Sequence, residues 1–190
     1  MKALLGEVRY YFAQCVFNTS CQYAAYSRYE KKRECRHTTA LIISGVSILI
    51  LCLTIVGWET NCQILLRLLS LTGIIATAAT LIFELYNKED ITEFMCYHKQ
   101  AAEDYKQLRD SFMDILRRIK SDKDIVEIEY RVQKCLQDYS IIGKYSLPTN
   151  EEDYKSAQKN LGLSGQGETF TWSSEDIDRF LPWELRENQY

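Results

Sequence analysis

Apolar residues are unevenly spread along the chain. From Ala40 to Gly57 the sequence reads ALIISGVSILILCLTIVG, 18 residues without a charge. As a helix this run is about 27 Å long, close to the hydrocarbon thickness of a bilayer. Thr38 and Thr39 extend it on one side and Trp58 on the other, where interfacial Trp is favoured. A second run, Ile64 to Tyr86, carries Arg67 and Glu84 near opposite ends, where either can snorkel toward headgroups. Both runs are too long for buried strands. The connection around Glu59–Gln63 is too short for a domain, so the pattern predicts an antiparallel two-span hairpin with both termini on one side of a membrane.

Beyond the second run the period changes. Ile91, Phe94 or Met95, His98, Ala101, Tyr105, Leu108, Phe112, Ile115 and Ile119 recur in steps of three and four, a heptad stripe. Ser121-Asp122-Lys123-Asp124 reads as a helix-start box with Ser121 as cap. A second stripe follows at Ile125, Ile128, Val132, Cys135, Tyr139 and Ile142, with Gly143 and Pro148 near its end. Upstream, Tyr10, Tyr11, Phe12, Val16, Tyr23, Tyr26 and Tyr29 predict an aromatic helix running toward the first span. The expected fold is an all-α membrane protein, a two-transmembrane helical hairpin with a cytosolic helical bundle. Its expected segments are an N-terminal cytosolic helix over 1–38, the hairpin over 39–86 (spans 39–58 and 64–86), a cytosolic helical hairpin over 87–145 and a tail over 146–190. The heptad and small-residue stripes both offer self-association surfaces, so a homo-oligomer is expected.

The tail holds 9 acidic and 4 basic residues. Thr149-Asn150-Glu151-Glu152 predicts a capped short helix closed near Gly162, followed by a hinge at Ser164, Gly165 and Gly167. Ser173 caps a further helix that stops before Pro182. Acidic tails are usually solvated and poor in aromatics, yet this one holds Phe170, Trp172, Phe180 and Trp183. These are candidate docking residues, either for a partner protein or for the chain's own bundle or a neighbouring subunit.

Composition narrows the classes. Aromatics are 12% of the 190 residues, too many for a disordered chain. Only 8 Gly and 2 Pro occur, too few turn residues for a many-stranded β fold. Residues 1–38 carry 7 basic and 3 acidic side chains, including Arg28, Lys31, Lys32, Arg33 and Arg36. The outer loop has no basic residue before Arg67, so the positive-inside rule places both termini in the cytoplasm. The basic cluster can also attract anionic headgroups. The first run starts too late and is too long for a cleaved signal. Seven cysteines without a CxxC pair read as reduced packing residues, with Cys62 as the one candidate for an external, intermolecular disulfide.

No nucleotide loop, GxSxG or HExxH motif occurs, and only two histidines, His37 and His98. No enzyme activity, metal or cofactor is expected. Tyrosines at helical spacing read as core, so direct nucleic-acid binding is not expected either. The spans carry more information. Ser44, Ser47 and Thr54 share one face of the first with Trp58, and Gly73, Ala76, Thr77, Thr80 and Glu84 share one face of the second. Two readings stay open: packing within the hairpin, or a hydroxyl stripe lining water in an oligomer, since two helices cannot enclose a pore alone.

The layout, with the segment His98-Lys99-Gln100-Ala101-Ala102-Glu103-Asp104-Tyr105-Lys106-Gln107-Leu108 after the hairpin, resembles the SLATT family, the SMODS- and SLOG-associating two-transmembrane effector domains. The resemblance covers about residues 5–145 and leaves the tail unmatched. It rests on His98, Ala101, Ala102, Tyr105 and Leu108, whose expected role is assembly. It implies a bacterial inner (plasma) membrane effector of antiviral abortive infection that oligomerises and breaches the membrane. The implied partners are membrane lipid and a separate sensor or signal synthase: a nucleotidyltransferase, a SLOG protein or a defence reverse transcriptase. The other expectations are a non-conducting anchor for a cytosolic partner enzyme and a small constitutive channel.

Overall fold

The computed structural model describes residues 2–59, 63–86, 91–121, 124–163 and 171–187, the side chains of 57–59, 65 and 84–86 excepted. Among the described residues there is no strand. The described residues form six α-helices: α1 (Lys2–Glu59), α2 (Gln63–Tyr86), α3 (Ile91–Lys120), α4 (Ile125–Tyr145), α5 (Glu151–Asn160) and α6 (Ser174–Asp178). A 3-10 turn spans Trp183–Leu185. Trp58 and Glu84 as side chains, Cys62, Phe170 and the hinge residues 164–167 lie outside the described residues.

α1 is a single helix of 58 residues. The expected juncture at 38–39 is a change of polarity and not a structural break. Both prolines, Pro148 and Pro182, lie far downstream, so nothing interrupts the backbone ladder there. The chain divides into two compact units, Tyr29–Thr92 and the rest.

The larger unit is built on the first half of α1. Val8, Phe12 and Cys15 meet Tyr105, Leu108, Phe112, Ile115 and Ile119 of α3 and Ile128, Val132 and Cys135 of α4 in one core. Tyr11 adds an aromatic bridge, stacked on Phe112 at 6.1 Å and edge-on to Tyr139 at 5.3 Å. Every expected α3 stripe position from Ile91 to Ile119 is buried, with Met95 rather than Phe94 taking its register. From Tyr105 to Ile119 that stripe is filled from within the chain, by α1 and α4. It is therefore not a free surface for self-association, which corrects the expectation that it offers one. On α4, Ile128, Val132 and Cys135 are buried, whereas Ile125 is 40% exposed.

Two helix starts differ from the expected ones. Asp124, not Ser121, caps α4 by accepting from the Val126 amide at 3.0 Å. Ser121 instead closes α3, its hydroxyl donating to the Arg118 carbonyl at 3.1 Å. Asp is as good a cap as Ser, and Asp124 directly precedes the apolar stripe. The box opening α5 is Asn150 with Asp153, one residue past the expected pair. This register lets Asp153 serve Arg28 as well. Gly162 does close α5, at φ +69°, a left-handed cap that suits glycine.

The C-terminal third belongs to the same unit. Ile177 and Leu181 enter the main core, and Ala157 and Leu163 pack with Phe17 and Cys21 of α1.

The smaller unit inverts this logic. Leu49 is 64% exposed, Ile55 67% and Ile64 75%. No residue in the most apolar 18-residue stretch of either helix is buried. A core helix of a water-soluble fold would be buried there; these two are long and apolar enough to cross a membrane instead.

Candidate functional site

Two places concentrate unusual chemistry. The first is the face shared by the paired apolar stretches. Ile43, Ser47, Ile50 and Thr54 of α1 are half-buried, as are Leu66, Leu69, Gly73, Ala76, Thr80 and Phe83 of α2. Spacings of three and four on both helices make this a continuous seam. At Gly73 a Cβ would sit 3.5 Å from Ile50 Cγ2, an ordinary contact, so that only a larger side chain would press on the facing helix. Beside the seam runs a groove of about 550 Å³ whose walls include Ser47, Thr54, Ser70 and Thr77.

Hydroxyls on this face do not bridge the helices. Ser47 donates to the Ile43 carbonyl at 3.0 Å, Thr54 to Ile50 at 2.8 Å, Thr77 to Gly73 at 2.9 Å and Thr80 to Ala76 at 2.9 Å. Back-bonding to the preceding turn satisfies each hydroxyl without water. The sequence stripe is thus split by the fold. Gly73, Ala76 and Thr80 sit at the seam with Ser47 and Thr54, while Ser44 and Thr77 are exposed.

The second place is a polar cluster inside the bundle. His98, only 1% exposed, places Nδ1 2.6 Å from Gln22 Oε1. Gln22 Nε2 donates to the Leu147 carbonyl at 3.3 Å, so the imidazole carries its proton on Nδ1. Asp153, 2% exposed, receives a two-pronged guanidinium from Arg28, both bonds 2.9 Å, and the Asn150 amide at 3.0 Å. Burial raises the Asp153 pKa. The Arg28 fork, the Asn150 amide and the charges of Arg28 and His98 outweigh it and leave the carboxyl below its ordinary value. For His98, burial and then the Arg28 charge lower the pKa, against a smaller opposing pull from Asp153. The imidazole is neutral at neutral pH. Cys21 next door is pushed up to about 12 by burial and then by the Asp153 charge, so its thiol is no nucleophile. The cluster ties α1 to α3 and α5.

The family-motif residues lie here as well. Ala101 and Ala102 are 5% and 0% exposed and Tyr105 and Leu108 both 5%. Tyr105 packs edge-on to Tyr139 at 5.8 Å.

In the tail, Trp172 and Phe180 pack on the chain's own cores, whereas Trp183 is 63% exposed. The tail is fastened by Arg9, 4% exposed, which donates to Asp178 Oδ1 at 2.8 Å and lies 3.5 Å from Glu187 Oε2. Sequence reasoning missed Arg9–Asp178, Arg28–Asp153 and Gln22–His98. Arg28 reads locally as part of an orientation signal, and no local pattern joins partners 169, 125 and 76 positions apart. Among the described residues no cluster of His, Cys, Asp or Glu is arranged to hold a metal ion.

A family profile described as "SMODS and SLOG-associating 2TM effector domain family 4" matches residues 4–175. The match extends past residue 145, through α5 and into α6, so the segment expected to fall outside the resemblance is largely within it. No curated protein and no solved structure matches the chain.

Proposed function

The chain belongs to the SMODS and SLOG-associating 2TM effector domain family 4, and on that premise we propose that it is a membrane effector of bacterial antiphage defence. In this reading it lies in the inner membrane with both termini cytoplasmic. It oligomerises and opens a pore or disrupts the bilayer when a separate sensor or signal synthase activates it: a nucleotidyltransferase, a SLOG protein or a defence reverse transcriptase. The 1–38, 39–86, 87–145 and 146–190 segments then divide the work between signal reception and membrane action.

The observation that carries the reading is the apolar surface left uncovered along α1 and α2. A hairpin buried on one seam and bare on every other side suits lipid and further copies of itself. The seam occupies Gly73, Ala76 and Thr80, so the exposed Thr77, with Ser44, is the better candidate for a lining face. Glu84, one turn past Thr80 in sequence, is proposed for the pore mouth, where its charge would favour cations. Lys31, Lys32, Arg33 and Arg36 support the cytoplasmic placement of the termini.

Exposure of Trp183 in an acidic segment favours a second reading, a non-conducting anchor that holds a partner enzyme. Expression together with its sensor system, read by a membrane-potential dye and by leakage from proteoliposomes, separates the two. An effector depolarises cells and releases dye on activation. A membrane-bound protein that does neither is an anchor.

A further inference from the structure

The bundle contains a cavity of about 560 Å³ that the membrane reading does not use. Gln14, Asn18 and Gln22 line it from α1 at intervals of four residues, which puts three carboxamides on one helix face. Facing them are Tyr154, Trp172 and the 146–149 connection. Phe17 joins the rings edge-on, 4.9 Å from Tyr154 and 6.4 Å from Trp172 between centroids. Two of the carboxamides are fixed from behind. Asn18 Nδ2 donates to the Tyr139 hydroxyl at 3.0 Å, and Gln22 is held between Leu147 and His98. The Gln14 amide and the Thr149 hydroxyl remain to meet a guest.

Among the described residues no side chain lining the cavity is charged. Arg28 is paired with Asp153, and the Asp153 charge reaches Cys21 on the cavity wall. An anion entering here would lose its hydration and meet no counter-charge. A flat, uncharged guest with donors and acceptors on its edge would instead meet carboxamides along that edge and rings at its faces, as bases do on aromatic platforms. The volume is in the range of small-molecule sites.

We propose that this cavity is a binding site for an uncharged planar heteroaromatic molecule of the nucleoside class, held between the carboxamide face of α1 and the rings of Tyr154 and Trp172. The site stands whether or not the hairpin permeabilises a membrane.

Trp172 supplies the readout. Of the three tryptophans, Trp58 and Trp183 are removed as Trp58→Phe and Trp183→Phe in the full chain in detergent. Its fluorescence is then titrated with adenosine, guanosine, cytidine, uridine and their 5′-monophosphates. At least one nucleoside should change the Trp172 emission saturably with a Kd of about 0.1 mM, the affinity a ligand of that size reaches at ordinary efficiency. Its 5′-monophosphate should bind about tenfold or more weakly. Gln14→Leu, on a half-exposed position, should weaken the nucleoside about tenfold while leaving the melting temperature unchanged. No saturable response to any of the four nucleosides would overturn the proposal. So would a monophosphate bound as tightly as its nucleoside, or an affinity unaltered in Gln14→Leu.

Discussion

The two halves of α1 have the same secondary structure and opposite surfaces. In the first half, Val8, Phe12 and Cys15 are at most 1% exposed, while the neighbouring Glu7 and Tyr10 face outward. In the second, Leu41, Leu49 and Ile55 are at least 60% exposed, and apolar residues surround the axis. A stripe requires a protein neighbour on one side; an all-round apolar surface requires an apolar solvent. One helix thus carries instructions for two media, and no glycine or proline is needed where they meet.

Substitutions of one kind in both halves should behave differently. Leu108→Asp places a charge in the core and should unfold the bundle, a loss of several kcal/mol. Leu49→Asp should leave the bundle's melting intact and act on insertion, at about 3 kcal/mol. Thermal melts and membrane fractionation of both variants read this contrast; similar melts would erase it.

Next in size is the tail's fastening. Arg9→Met strands Asp178 without its partner and should cost about 3–5 kcal/mol. Adding Asp178→Leu should restore most of that loss. Urea titration of the single and double variants would detect a tail held by its apolar contacts alone, for which Arg9→Met has little effect.

Within the hairpin, Gly73→Leu should overpack the seam against Ile50, costing about 1–3 kcal/mol, and should disrupt assembly. Thr77→Leu, on an exposed position, should change hairpin stability by less than about 0.5 kcal/mol and instead reduce conductance. Crosslinking of engineered cysteine pairs across the seam compares the two; equal effects would mean that Thr77 also packs.

The smallest effect is on pH. His98 has its pKa lowered in the fold from the ordinary 6.5. The unfolded chain therefore takes up the proton first as pH falls. The stability that His98 contributes is complete above about pH 6.5 and is lost progressively below it. Asp153, also lowered, adds a second loss beginning near its ordinary 3.8. Melts across this range should show the upper step, and His98→Gln should remove it while leaving the lower one. The hairpin carries neither group, so its contacts should not follow these steps.

Much of this was legible along the chain. The α3 stripe reads directly because each apolar step of three or four is local information, and the apolar runs read because length and absence of charge need no partner to interpret. The caps of α4 and α5 were misplaced because Ser, Asp and Asn compete as equals over neighbouring positions. What decided for α5 was Arg28, far away in sequence. The tail's aromatics stood out, but nothing local distinguished Trp172 and Phe180, which turn inward, from Trp183, which does not. The seam separating Gly73 from Thr77 needed the neighbouring helix, because the 100° period assigns both to one broad face.

The most direct test is thiol accessibility in native membranes. Single cysteines are placed at each position from Leu41 to Val56 and from Leu66 to Phe83 in an otherwise cysteine-free chain, and separate variants that keep only the natural Cys35 or Cys96 serve as exposed references. A membrane-impermeant maleimide, applied to inside-out vesicles in the resting state, should label Cys35 and Cys96 and leave both apolar runs unlabelled; after activation, only positions beside Thr77 and Ser44 should become labelled. Labelling along all faces of either run in resting vesicles would place that run in water and contradict a lipid-embedded hairpin.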